Sequence, residues 1–110
     1  MSFRIKKDNS DEVLEALALK IKLALELVGI AGENNAKFEI TAQGAVDTGN
    51  LRNSLTHEVV GKDVYIGTNV EYAPYVEFGT SKMQERPYLR PAVKDNTNEY
   101  KTIFEEVLKS

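Results

Sequence analysis

What most constrains this chain is the run from Asn9 to Glu39, which has no proline and places apolar residues three and four apart. That spacing predicts a long α-helix. Asn9, Ser10 and Asp11 are candidate N-caps, and acidic Asp11 and Glu12 suit the positive end of the helix dipole. Gly32, Asn34 and Asn35 weaken the propensity without stopping the pattern, so the helix is expected to run to about Glu39. At about 100° per residue, Glu12, Glu15, Lys22, Glu26, Gly29 and Glu33 gather on one side, opposite Val13, Leu14, Leu17, Ile21, Ala24, Leu25 and Val28. The apolar group is the expected core face. A further stripe, Ala16, Leu19, Leu23, Leu27 and Ile30 with Lys20 on its border, flanks it. One helix on a small sheet does not cover so wide an apolar arc, so this stripe meets either another subunit or the C-terminal helix of the same chain.

At 110 residues the chain is expected to form a single domain over residues 1–110, with one modest core. Its 42% hydrophobic and 28% charged residues are a globular composition and argue against disorder. A formal charge of -3 provides no general field for nucleic acid. Without cysteine there is no disulfide framework, thiolate nucleophile or thiolate metal site. The opening MSFRIKKDNSDE has no apolar signal core, and Glu15, Lys20, Lys22 and Glu26 interrupt the apolar run too often for a membrane span. A soluble protein made in the cytosol is expected, with no membrane partner.

Beyond the helix, Leu55–Val60 and Lys62–Thr68 are rich in β-branched residues and flank Gly61, which predicts a β-hairpin. Asn69–Thr80 holds Pro74 and ends near Gly79, as expected of a short helical turn bearing Tyr72, Tyr75, Val76 and Phe78. A polar loop, SKMQERP, leads to a last helix in which Val93, Tyr100, Ile103, Phe104, Val107 and Leu108 recur at helical spacing. That helix starts at Pro91 or restarts at Thr97, where Asn96 and Glu99 form a candidate capping pair. The fold class is therefore α+β: a long N-terminal helix and a C-terminal helix packed on a small antiparallel sheet.

Catalytic readings fail one by one. Asp47-Thr48-Gly49 is the triplet of aspartic proteases, but Asp47 follows a helical pattern and "TAQGA", where a half-site needs apolar strands on both sides of its loop. A turn in which Asp47 or Thr48 caps a short helix over Gly49–Asn53 explains it more simply. His57, the only histidine, lies on a predicted strand with Glu58 on the opposite face, and reads as a surface or edge residue. No spacing of carboxylates suggests a metal site, no glycine-rich loop leads to Lys-Ser/Thr, and no cofactor is implied. Lys82, Arg86 and Arg90 cluster near Met83 and Tyr88, yet Glu85 sits among them and no groove-reading motif is present, so direct DNA binding is not expected.

Three blocks in fixed order remain: "VDTGNLRNSL" after the long helix, "GTNVEYAPYVEFGT" after the hairpin, and "RPYLRPA" before the last helix. Together they resemble the tail-component family of tailed bacteriophages and prophages, small head-tail connector or tail-completion proteins, over about residues 10–108. The resemblance implies a non-enzymatic virion protein, made in the bacterial cytoplasm and placed at the head-tail junction. It implies a homo-oligomeric ring of six copies, touching a connector protein on one side and the tail tube on the other. Candidate subunit or partner contacts are Leu19, Leu23 and Leu27 on the spare stripe, with Arg52, Tyr72, Lys82, Met83 and Arg86. Tyr75 and Phe78 are aromatic anchors for a neighbour or, the simpler reading, core residues, while Arg52 either anchors a partner or pairs internally with Glu77 or Asp47. The alternative is a small intracellular protein-binding module of regulatory type, acting as a dimer.

Overall fold

The computed structural model of the chain describes residues 7–43, 48–82 and 84–110. Its largest element is helix α1, Lys7–Gln43, of 37 residues, which at 1.5 Å per residue is about 55 Å long. Asn9, Ser10 and Asp11 therefore lie within the helix and do not cap it. The chain continues through α2 (Thr48–Ser54), strands β1 (Thr56–Val60) and β2 (Asp63–Gly67), and helices α3 (Ala73–Phe78), α4 (Leu89–Lys94) and α5 (Thr97–Lys109). This is the expected α+β arrangement of a long N-terminal helix, a C-terminal helix and a small antiparallel sheet.

β1 and β2 pair antiparallel from Thr56↔Gly67 to Val60↔Asp63. Gly61 makes the turn at φ 60°, a left-handed conformation that costs glycine little. Strand alternation turns His57, Val59, Val64 and Ile66 toward α1 and leaves Thr56, Glu58, Val60 and Tyr65 exposed. The hairpin approaches the helix over glycines. A Cβ on Gly29 would lie 2.5 Å from His57 Cδ2, and one on Gly32 would lie 2.1 Å from Ile66 Cδ1. The helix face against the sheet is thus Leu25, Gly29, Gly32, Ala36 and Ile40, all buried. The expected solvent side is corrected here, because from Glu26 onward Glu26, Gly29 and Glu33 face β1.

The core sits at the C-terminal half of α1, where Ala36 and Ile40 meet Leu51 and Leu55, Ala73 and Val76, and Tyr88 and Ala92. Fully burying one of its larger aliphatic side chains contributes about 1.5–3 kcal/mol. The last helix is both of the forms considered: Pro91 lies in the first turn of α4, and α5 restarts at Thr97. Asn96 does not use its side chain to cap α5; its Nδ2 donates back to the Ala92 carbonyl, and Glu99 instead accepts from Asn35 on α1. Tyr100 also joins α5 to α1, accepting from Asn35 and donating to the Ala92 carbonyl. At the far end of α5, Lys20 donates to the carbonyl of Ser110.

Above that level α1 has no companion among the described residues. The molecule measures 74 × 24 × 22 Å with a radius of gyration of 19.0 Å, against about 13 Å for a compact chain of this length. Val13, Leu14 and Leu17, expected in the core, are exposed on this projecting arm. Their periodicity is that of a core face, but the body is too short to reach them.

Candidate functional site

The surface that carries a functional reading is the side of α1 away from the sheet. Leu19, Leu23, Leu27 and Ile30 are 68%, 53%, 38% and 43% exposed. Of the two covers considered for this stripe, the C-terminal helix is excluded. α5 lies against the Asn35 and Lys20 side of α1 and leaves these residues in solvent. Val13, Leu14 and Leu17 are also uncovered, so the apolar surface of the arm extends beyond the one stripe, interrupted by the exposed charges of Asp11, Glu12 and Glu15.

The other contact candidates are scattered along the body. Arg52 is exposed on α2 and does not pair with Glu77, whose partner is Arg90. Tyr72 is half-buried against the core and its hydroxyl accepts from Asn50 Nδ2 at 3.2 Å, so it ties α3 to α2. Lys82 and Arg86 are exposed on the loop after α3, which Arg86 N anchors to the Val76 carbonyl at 2.7 Å. Asp47 and Met83 lie outside the described residues, as does the side chain of Thr48, so their capping and contact roles are not described. Tyr75 and Phe78 are corrected: both are exposed, at 57% and 64%, because α3 is a single short helix that turns only Ala73, Val76 and Glu77 inward.

Two polar sites hold the body together. The buried carboxylate of Glu77 accepts from the N–H of Tyr88 at 3.0 Å, Leu89 at 2.8 Å and Arg90 at 3.3 Å, and from Arg90 Nε at 2.8 Å. It therefore caps α4 from outside and pairs with Arg90 in its first turn. Burial alone would raise the pKa of this carboxyl, but the bonds from Arg90 and the backbone N–H groups outweigh it and hold the pKa below the ordinary value. Arg90 also donates to Glu85 and lies 4.9 Å from the Phe78 ring centroid. Most of its donors are engaged, which removes it from the basic cluster considered for nucleic acid. Tyr88 packs beside Glu77, and burial, followed by the carboxylate, pushes its hydroxyl up to about 12.

His57 forms the second site. It is no loose edge residue: it lies over Gly29 with Nδ1 3.2 Å from Glu33 Oε1 and Nε2 3.1 Å from Glu26 Oε2. Both nitrogens face acceptors, so the doubly protonated ring satisfies the site best. Burial opposes the charge, yet the bonds to Glu26 and Glu33 prevail and raise the pKa. For Glu33, burial is likewise outweighed by bonds from His57 and Lys37, and its pKa falls. The clamp fixes the hairpin to α1. Glu26 and Glu33 are seven apart in the sequence and thus share a helix face, but without the strand's position nothing marked His57 as their partner.

Two open grooves flank these sites. One, of about 420 Å³, is lined by Gly67–Glu71, Ala73, Pro74, Phe78 and Tyr88–Arg90 among others. The second, of about 450 Å³, lies between the arm and the hairpin tip. Neither is lined by Leu19, Leu23, Leu27, Arg52, Tyr72, Lys82 or Arg86. Among the described residues, no group of three or more histidines and carboxylates is placed to hold a metal, and no helix is long and apolar enough to cross a membrane. Comparisons with protein-family models, curated proteins and solved structures gave no match.

Proposed function

We propose that this chain is a non-enzymatic structural protein of a tailed bacteriophage or prophage, a tail-completion or neck component that joins head and tail. In this reading it is made in the host cytoplasm and forms a ring of six copies at the head-tail junction of the virion, between the connector and the tail tube. The observation that carries the reading is the uncovered stripe of Leu19, Leu23, Leu27 and Ile30 on a rigid helix that extends beyond its own body. A subunit of an assembly needs such a surface.

The three sequence blocks support it in a different way. They are far apart in the chain, yet Leu51 and Leu55, Ala73 and Val76, and Tyr88 and Ala92 meet in one core with Glu77 bridging the last two blocks. The blocks therefore define a scaffold and leave the arm and the exposed loop side chains for neighbours. Direct DNA binding and cofactors have no part in this reading.

Native mass spectrometry across a concentration series, with and without the tail-tube protein of the same phage, tests it. A six-membered ring, alone or induced by the tube protein, is expected. Leu23→Glu/Leu27→Glu should abolish the ring while the helical circular-dichroism signal persists, because both positions are exposed. Indifference to the tube protein at every concentration would count against the proposal.

A further inference from the structure

The open stripe of α1 is longer than its large side chains. Ala16, Leu19, Leu23, Leu27 and Ile30 form its centre, Glu12 and Asn34 lie at its two ends, and all seven residues are exposed. From Glu12 to Asn34 the steps are four, three, four, four, three and four. Steps of four, four and three make an 11-residue repeat, which keeps a seam nearly straight on one side of a helix. The hairpin occupies the other side: its tip meets α1 at Ala18, Lys22 and Leu25, and His57 and Ile66 lie over Gly29 and Gly32.

We infer that in the free protein this seam is covered by the same seam of a second copy, the two helices running antiparallel about a two-fold axis at Leu23. The steps read the same from either end, so each seam residue meets a seam residue. Leu23 meets Leu23 of the partner subunit, Leu19 meets Leu27 of the partner subunit, and Ala16 meets Ile30 of the partner subunit. Glu12 meets Asn34 of the partner subunit, and the axis repeats every contact. The chemistry matches along with the spacing. Four large aliphatic side chains of each copy leave water, small Ala16 makes room for branched Ile30, and at each end an amide donates to a carboxylate. Lys37, three residues beyond Asn34 and held by Glu33, adds positive charge near the same carboxylate.

The shape of the subunit selects the direction. Glu12, Ala16 and Leu19 lie on the arm, whereas Leu27, Ile30 and Asn34 lie on the stretch of α1 that carries the hairpin. Antiparallel helices lay each arm along the other copy's backed stretch and set the two bodies toward opposite ends. Parallel helices in register would crowd the bodies at one level, stack Glu12 on its own copy and leave a gap between two alanines. The overlap from Glu12 to Asn34 is about 33 Å of helix, an interface at the small end of the range, with about micromolar affinity. The pairing stands without the phage reading, and one consequence rests on it. A two-fold contact is closed and uses the stripe that the ring needs, so the pair is a stored form that the tail-tube protein must open.

The chain contains no cysteine, so single-cysteine variants report the register. A disulfide needs Cα atoms within about 7 Å. Leu23→Cys places its thiol on the two-fold axis, whereas two copies of Leu19→Cys, or of Leu27→Cys, hold theirs about 12 Å apart along the helices. Under mild oxidation at about 100 µM, Leu23→Cys should link at least about ten-fold faster than Leu19→Cys or Leu27→Cys alone, and an equimolar mixture of the last two should link faster than either. Glu12→Lys and Asn34→Asp should each weaken the pair of the otherwise wild-type chain by about three- to thirty-fold in sedimentation, and the two together should recover most of it, because each end then holds an ion pair. Equal self-linking of all three cysteine variants would show parallel helices and overturn the proposal. So would a mixture no faster than its components, or a double variant as weak as the singles at unchanged helicity. These readings use no tube protein, so the ring reading is tested separately, by mass with the tube protein present.

Discussion

Replacing Glu77 by glutamine keeps the side chain's shape, removes its charge and converts one acceptor into a donor. The amide oxygen can still take the N–H groups of Tyr88 and Leu89, now held at 3.0 and 2.8 Å. Its NH₂ then faces Arg90 N and Nε, donor against donor, where the carboxylate accepted at 3.3 and 2.8 Å. Two hydrogen bonds to a charged acceptor are lost at a buried position, a cost of about 3–5 kcal/mol. Arg90→Ala is a milder change, because its side chain is 44% exposed and its removal leaves the carboxylate with three backbone N–H partners. Urea unfolding followed by circular dichroism at neutral pH should therefore rank Glu77→Gln well below Arg90→Ala. A pH series adds a second check. Because the folded-state pKa of Glu77 is depressed, its contribution is present above the unfolded value of 4.5 and lost as pH falls through the folded value. The gap between wild type and Glu77→Gln should close on acidification. Equal costs for the two variants, or a gap indifferent to pH, would refute the view that Glu77 acts mainly as the cap of α4.

The hairpin clamp yields the remaining expectations. Gly29→Ala should destabilise the protein by about 1–3 kcal/mol, because the new methyl meets the His57 ring root at 2.5 and 2.9 Å and the ring is held on both nitrogens. Gly32→Ala should cost less, since its closest contact is the terminal Cδ1 of Ile66, which can move aside, while both variants gain the same propensity of about 1 kcal/mol; urea midpoints of the two variants decide the order. The folded-state pKa of His57 is raised, so its contribution is full below about 6.5 and is lost as pH rises through the folded value. His57→Gln should therefore lose more stability relative to wild type at pH 6 than at pH 9, which parallel thermal melts at the two pH values would measure.

The hairpin, the short helix after Asp47 and the turn of helix at Pro74 were legible in the sequence, from β-branched runs about Gly61, capping residues before Gly49 and a proline in a first turn. The C-terminal helix read as starting at Pro91 or restarting at Thr97, and only the structure shows two helices, α4 and α5. The rotation of α1 was not legible. Its apolar residues surround most of the helix, so no single direction dominates. The deciding signals are the close approaches at Gly29 and Gly32, and a glycine gives no sign of what will lie over it. Glu26 and Glu33 looked like solvent residues because their partner, His57, is distant in sequence. The stripe of Leu19, Leu23 and Leu27 was legible as surplus apolar surface, and the structure shows that α5 leaves it open. Tyr75 and Phe78 were misread because an aromatic beside Pro74 looks the same whether its short helix presents it inward or outward.

Electron microscopy of phage particles made after deletion of the gene for this chain tests the proposed head-tail role most directly. The account predicts DNA-filled heads and finished tails that remain apart, with joining restored when the wild-type chain is supplied in trans and not when Leu23→Glu/Leu27→Glu is supplied. Complete, infectious virions in the absence of the gene would contradict it.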